Sequence, residues 1–259
     1  MKKVLTIAGS DSSGGAGIQA DIKTMTHHNV YAMSVITAIT AQNTLGVQKV
    51  FNLDKEIVSA QLNSIFLDIF PDAIKIGMVS NIEIINVISE KLTFYNAKNI
   101  VLDPVMIATS NGKLIDNEAI STLCEKLFPL ATLITPNLFE AQTLSNLKII
   151  NKYDMEKAAE FLFDKYKVPF LIKGGHLNSS ASDLLITKNG YFWYESPLID
   201  NMNTHGTGCT LSSSIASNLA KGDSLEKAIE NSKKYLSRAI NYKLNIGKGR
   251  GPLYHNVKS

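Results

Sequence analysis

Six short apolar runs, at 3–8, 33–40, 73–77, 99–103, 131–135 and 169–173, alternate with segments of helical pattern. This alternation narrows the possible folds more than any other feature of the chain. Several of the runs are continuously apolar, as expected of parallel strands covered on both faces. The helical segments are 16–28, 55–68, 81–94, 116–127, 137–145 and 154–166, with two more, 207–220 and 224–243, closing the chain. Asp54 and Asp154 are expected N-caps. Residues 183–187 and 191–195 flank Lys188-Asn189-Gly190, a hairpin signal in which Asn-Gly supplies positive torsions. With 259 residues, no internal repeat and no low-complexity linker, the expectation is one domain over 1–259. Its class is α/β, three-layered, with a mostly parallel sheet and a small antiparallel edge.

Composition excludes several roles. The chain is 45% hydrophobic and 19% charged, which is ordinary for a globule. The net charge of +3 comes from scattered basic residues, so nucleic acid is not an expected partner. The apolar part of residues 1–8 is too short for a signal peptide, and no run approaches the ~20 apolar residues of a membrane helix. Cys124 and Cys209 form no CxxC pair, which points to a reducing, cytoplasmic setting.

In open α/β sheets ligands bind beyond the carboxyl ends of the strands. Here the six apolar runs end in Gly9-Ser10-Asp11, Ala41-Gln42-Asn43, Gly77-Met78-Val79, Asp103-Pro104-Val105, Thr135-Pro136-Asn137 and Lys173-Gly174-Gly175. Small, polar and charged residues are therefore expected to meet on one rim. Gly15-Ala16-Gly17-Ile18-Gln19-Ala20 matches a loose dinucleotide fingerprint, but no Asp or Glu lies between Asp21 and Asp54 where a ribose acid is needed. A Walker A loop fails as well, because Gly15 and Ala16 stand where Lys and Ser/Thr are required.

One segment adds chemistry to the rim. Asn203-Thr204-His205-Gly206-Thr207-Gly208-Cys209-Thr210-Leu211-Ser212 places two glycines and a thiol where an apolar helix begins. The first amides of a helix lack intrahelical acceptors and carry about half a positive charge, so they suit a phosphate. The same field favours a thiolate, which gives Cys209 an expected depressed pKa and a role as base. Taken alone, the segment also fits a glycine turn before a core helix, with Cys209 a small buried hydrophobe.

Together these segments resemble a family. AGSDSSGGAGIQADIKT (8–24), TAITAQNT (37–44), KIGMV (75–79), VLDPVM (101–106), TPNLFEA (135–141), IKGGH (172–176), NTHGTGCTLS (203–212) and GPLYH (251–255) are similar to the hydroxymethylpyrimidine/phosphomethylpyrimidine kinase branch of the ribokinase-like superfamily. The resemblance implies transfer of the ATP γ-phosphoryl group, with Mg²⁺, to 4-amino-5-hydroxymethyl-2-methylpyrimidine and then to its monophosphate, in thiamine diphosphate synthesis. It implies Cys209 as base, with Gly206, Thr207 and Gly208 forming an anion hole. Asp103, Asn137, Glu140, Lys173 and Thr204 are expected on ATP and phosphate, and Asp103 and Glu140 on Mg²⁺ through water. Gln42 is expected on the aminopyrimidine edge, joined by Gly9, Ala16, Asp21, Met78 and Val105.

Several of these residues have plainer readings. Asp103 could cap a strand, Glu140 could serve the helix dipole, Lys173 could snorkel, and Met78 could be core. His176 and His205 lack metal-ligand spacing. Asn111-Gly112 after Ser110 departs from the family's Ser-Gly in an expected flap, and Lys248 and Arg250 lie in a glycine-rich tail read as a solvated turn. Two rival functions stand beside the main one: a pyridoxal or pyridoxine kinase, and a non-catalytic pyrimidine sensor. A homodimer through an exposed sheet edge is also expected.

Overall fold

The computed structural model describes residues 1–106, 117–175, 181–196 and 199–257. The expected flap at 110–112 and His176 lie outside these residues. The strands are β1 (Lys3–Asp11), β2 (Tyr31–Asn43), β3 (Gly46–Asn52), β4 (Ala73–Ile76), β5 (Ile100–Leu102), β6 (Leu133–Ile134), β7 (Phe170–Ile172), β8 (Asp183–Thr187) and β9 (Gly190–Tyr194). The helices are α1 (Gly17–His27), α2 (Lys55–Asp68), α3 (Ile82–Phe94), α4 (Asn117–Lys126), α5 (Leu138–Ser145), α6 (Lys152–Tyr166), α7 (Thr207–Lys221) and α8 (Leu225–Asn241).

All nine strands join one sheet in the order β3-β2-β1-β4-β5-β6-β7-β8-β9. β2, β1, β4, β5, β6 and β7 are parallel, while β3 at one end and β8 and β9 at the other are antiparallel. The strand order reverses at β1, so the neighbouring strand ends form the switch point where such sheets hold ligands.

Alternation along each strand divides the core. Leu5, Ile7, Ile100, Leu102, Phe170 and Ile172 pack in one cluster with α2 to α6. Val4, Val101, Leu171 and Leu185 pack in a second cluster with Met25 of α1, Leu211 and Ile215 of α7, and Ile229 of α8. The sheet is thus covered on both faces, which is why its strands read as unbroken apolar runs.

Three local expectations are corrected. β3 was not foreseen, and it makes the antiparallel edge two-sided. Asp154 is not the cap of α6; Asn151 is, accepting from the Asp154 amide at 2.9 Å. In the β8–β9 hairpin Gly190 has a positive φ of 106°, but Asn189 does not. Asp54 does precede α2, although its side chain makes no capping bond.

Candidate active site

The rim is built where α7 begins. Gly206, its N-cap, has φ 85°, and a Cβ there would lie 1.9 Å from the Gly15 carbonyl oxygen. Only glycine lets the start of α7 sit against the loop between β1 and α1. The first helical bond runs from the Thr210 amide to the Gly206 carbonyl at 2.9 Å, and the Thr207 amide reaches Thr204 at 3.3 Å. The Gly208 and Cys209 amides are therefore left without intrahelical acceptors. A Cβ on Gly208 would lie 3.2 Å from Asp103 Oδ2 and 3.3 Å from Lys173 Nζ, so the free amides start beside that pair.

Asp103 and Lys173 follow β5 and β7. Lys173 Nζ donates to Asp103 Oδ1 at 2.6 Å, and Thr135 Oγ1 donates to the same oxygen at 3.2 Å. Burial opposes the charge on Lys173, but Asp103 and Glu140 outweigh it and hold the ammonium above its ordinary range. Glu140 and Asn137 close a capping box at the start of α5: the Asn137 amide donates to Glu140 Oε2 at 2.7 Å, and the Glu140 amide donates to Asn137 Oδ1 at 2.9 Å. Burial pushes the Glu140 carboxyl up to about 7, with Lys173 pulling it down and Asp103 pushing it further up. Lys173 thus bonds one of two buried carboxyl groups and acts on the other through its charge alone. Thr204 is half-buried, two residues before the N-cap of α7.

Cys209 is half-buried and accepts a hydrogen bond from the Gly17 amide, so the beginnings of α1 and α7 converge on its sulfur. The expectation of a depressed pKa is overturned. Burial pushes the thiol above its ordinary value; Lys75 lowers it, while Asp21 and Asp103 raise it further. Burial is the largest cause, and the two carboxylates near the sulfur add to it.

Asp21 is corrected too. Its carboxylate is fully buried and accepts from Thr6 Oγ1 at 2.6 Å, Ser213 Oγ at 2.6 Å and Lys75 Nζ at 2.8 and 3.0 Å. Ser213 lies one helical turn beyond Cys209, so Asp21 and Lys75 support the site from below rather than meeting a ligand. Lys75 is itself fully buried, an unusual state for lysine that only such pairing permits.

The opposite end of the rim is less charged. Gly9 is buried, and a Cβ on it would lie 3.2 Å from Met78 Sδ. Met78 and Val105 are half-buried after β4 and β5, and Ala16 is half-buried at the start of α1. Gln42 is half-buried near the end of β2. It meets His205, which in turn meets Asp11, and sequence reasoning assigned neither. His205 Nε2 lies 3.2 Å from the Gln42 amide nitrogen and 2.9 Å from Asp11 Oδ2. Asp11 also accepts from the Ser13, Gly15 and Ala16 amides at 2.8, 3.1 and 2.8 Å. Burial would raise its carboxyl, but His205 and these donors hold it at about 2. The signal was present in Asp11-Ser12-Ser13-Gly14-Gly15, an acid followed by donors it can turn back on; its link to His205 was not.

Apart from Asp21, Val105, Thr204 and the start of α7 itself, the expected residues fall into two groups. Asp103, Asn137, Glu140 and Lys173 form one; Gly9, Gln42, Met78 and Ala16 form the other. The start of α7 lies between them, touching Asp103 through Gly208 and Gly15 through Gly206.

The chain is similar to known proteins along nearly its whole length. The family described as phosphomethylpyrimidine kinase matches residues 11–254. The hydroxymethylpyrimidine/phosphomethylpyrimidine kinase of Haemophilus influenzae is 43% identical over 260 residues, covering 98% of this chain and 97% of its own. The thiamine biosynthesis bifunctional protein ThiED of Geobacter sulfurreducens is 46% identical over 253 residues, or 97% of this chain, which spans about half (52%) of that longer protein. The crystal structure of an ADP complex of Bacillus subtilis pyridoxal kinase superposes with a TM-score of 0.92 at 39% identity, over 98% of this chain and 97% of that one.

Proposed function

The chain belongs to the phosphomethylpyrimidine kinase family, and from that premise we propose how its rim performs the family's reaction. The protein is an ATP-using kinase of thiamine biosynthesis that phosphorylates 4-amino-5-hydroxymethyl-2-methylpyrimidine to the monophosphate and then to the diphosphate. Phosphoryl transfer needs alignment and charge neutralisation more than covalent chemistry. The observation that carries the assignment of roles is the start of α7, where two free amides lie beside the Asp103–Lys173 pair.

In this reading the Gly208 and Cys209 amides hold the migrating phosphoryl group, with Gly206 and Thr207 shaping the turn. Lys173 neutralises the nucleotide phosphates, and Thr204 and Asn137 line their path. Gln42 pairs with the amino group and ring nitrogen of the pyrimidine, Gly9 and Ala16 give backbone contacts, and Met78 and Val105 cover the ring. Cys209 takes the hydroxyl proton in the first transfer. The second acceptor is a phosphate that is already ionised, so it needs that base far less.

Mg²⁺ fits the donor set. Asp103 and Glu140 offer hard oxygen ligands with Lys173 bonded to Asp103 alone, a balance that favours a further cation held through water. When bound, the ion would neutralise charge on the transferring phosphates. Among the described residues no group of three or more Asp, Glu, His or Cys side chains is placed to hold a metal ion.

We further propose a homodimer through the β3 edge, where Val50 and Phe51 are exposed beside Ile39 of β2, and a cytoplasmic setting. Among the described residues no helix is long and apolar enough to cross a membrane.

The test is an ATP-dependent assay with the pyrimidine alcohol, its monophosphate, pyridoxal and pyridoxine, each product identified by mass. Sequential conversion of the pyrimidine to mono- and diphosphate is expected. The likeness to a pyridoxal kinase makes slower turnover of pyridoxal a reasonable side activity. Preference for pyridoxal over the pyrimidine would overturn the substrate assignment, and binding of the pyrimidine without transfer would favour the sensor.

A further inference from the structure

The amide of Gln42 lies between two neighbours whose own hydrogen bonds restrict which way round it can sit. On one side its nitrogen is placed 3.2 Å from His205 Nε2. On the other its oxygen is placed 3.1 Å from Thr40 Oγ1. The oxygen and nitrogen of a carboxamide are distinguished by what they bond to, and here the partners decide.

Asp11 is an ionised carboxylate and only accepts, so His205 Nε2, 2.9 Å from Asp11 Oδ2, must carry the hydrogen between them. An N–H at that position faces the NH₂ of Gln42 as donor against donor. Thr40 has one hydroxyl hydrogen, and the Ser10 carbonyl lies 3.0 Å away to receive it. Its remaining lone pairs then face the Gln42 oxygen as acceptor against acceptor. Turning the amide by half a revolution removes both conflicts. The Gln42 oxygen then shares the single His205 Nε2–H with Asp11 in a bifurcated bond, and its nitrogen donates to Thr40 Oγ1.

We propose that the Asp11–His205 pair is a positioning device that fixes the orientation of the Gln42 amide and so sets the order of donor and acceptor offered to the substrate. His205 engages the amide from the side of the oxygen and Thr40 from the side of the nitrogen. What remains is the outer edge of the amide, with one lone pair and one N–H side by side. A ring with an acceptor nitrogen next to an exocyclic amino group fits that edge in one sense only. An acceptor lacking such an edge gains nothing from it, and covers a half-buried amide without pairing it. The inference rests on the reading of Gln42 as the pyrimidine contact.

Three variants test it: Gln42→Ala, His205→Phe and His205→Gln, the last returning an N–H at similar reach. Gln42→Ala and His205→Phe are each expected to raise KM for the pyrimidine alcohol about tenfold or more. KM for ATP should not move, and His205→Gln should bring the pyrimidine KM most of the way back. If Gln42→Ala raises that KM and His205→Phe does not, the positioning role is overturned and the Gln42 contact stands. If Gln42→Ala has no effect, the contact itself is wrong and the inference falls with it. Equal rises in both KM values for His205→Phe, without rescue by glutamine, would assign His205 to general support of the loop and overturn the proposal. Nitrogen-15 spectra of the wild-type histidines give a readout independent of turnover, and of whether any variant folds. A proton on His205 Nε2 supports the arrangement, and its absence there refutes it.

Discussion

A thiol beside two carboxylates and one ammonium is a reluctant acid, and that shapes what Cys209 can do. With burial and the negative neighbours pushing its pKa up, the sulfur is protonated in the resting protein at neutral pH. The base form therefore grows as pH rises through the alkaline range, and the first phosphorylation should accelerate with it. Cys209→Ala is expected to reduce the first transfer by ~10²–10⁴, the usual worth of a general base, and the second transfer much less. It should also flatten the alkaline limb of the first. Separate measurement of the two half-reactions across pH 6.5–9 checks this, and equal loss in both would remove Cys209 from the role of base. At this scale the sequence conveyed where the residues of the rim lie better than how they are charged. Cys209, Asp103 and Lys173 were legible from their places at element ends. The sign of the Cys209 shift was not, because Lys75 and Asp21 approach it from other elements. Asp21 itself was misread for the same reason, since its partners Lys75 and Ser213 lie 54 and 192 residues away.

Among the elements, α7 depends most on a single residue. Gly206 combines a left-handed torsion with a carbonyl oxygen where a side chain would start. Gly206→Ala must bear the ~1–2 kcal/mol of a left-handed alanine and must also push the helix start off the Gly15 loop. Both half-reactions should fall steeply, and the melting temperature should drop by several degrees. Gly222→Ala at the other end of α7 is the matched control: its φ is 99°, but nothing lies within 4 Å of a Cβ there. It should lose stability of similar torsional origin and leave turnover intact. Comparable kinetic damage in both variants would mean that the contact with Gly15 is unimportant. Most elements were legible because their apolar runs are long and their ends are marked by glycine, proline or polar residues. β3 was not, since Gly46 and Val47 are only half-buried and the other five residues are exposed, so its sequence carries no inward-facing pattern. The cap of α6 was placed late because Asn151 and Asp154 are both good capping residues, and only the backbone chooses between them.

The molecule as a whole responds to acid through two histidines held between α1, α7, α8 and the C-terminal tail. His28 Nε2 meets Ser214 Oγ at 2.7 Å, and His255 Nε2 meets Thr210 Oγ1 at 3.1 Å. Burial lowers His28 to about 3 and His255 to about 4, with nearby lysines adding to both shifts. The unfolded chain takes up these protons near pH 6.5, while the folded chain resists them until pH 4 or below. The share of stability that these two histidines supply is therefore full above pH 6.5 and drains as pH falls, by up to about 2 kcal/mol for each between pH 6.5 and 5, while Glu140, raised to about 7, opposes it over the same range. Denaturant unfolding from pH 8 to 5 should show this slope, and His28→Asn with His255→Gln should flatten it. An unchanged slope in the double variant would assign acid sensitivity to other groups. The layered α/β arrangement was legible from strand–helix alternation, but these contacts were not, because they join residues far apart along the chain.

The meeting of Gly206 with Gly15, and of His205 with Asp11, joins positions 194 residues apart in the second case. During synthesis, the loop near the amino terminus leaves the ribosome long before the segment that completes it. Until residues near 210 have emerged, the nascent protein holds only one side of its pocket, and it can acquire catalytic competence only once the start of α7 has left the ribosome.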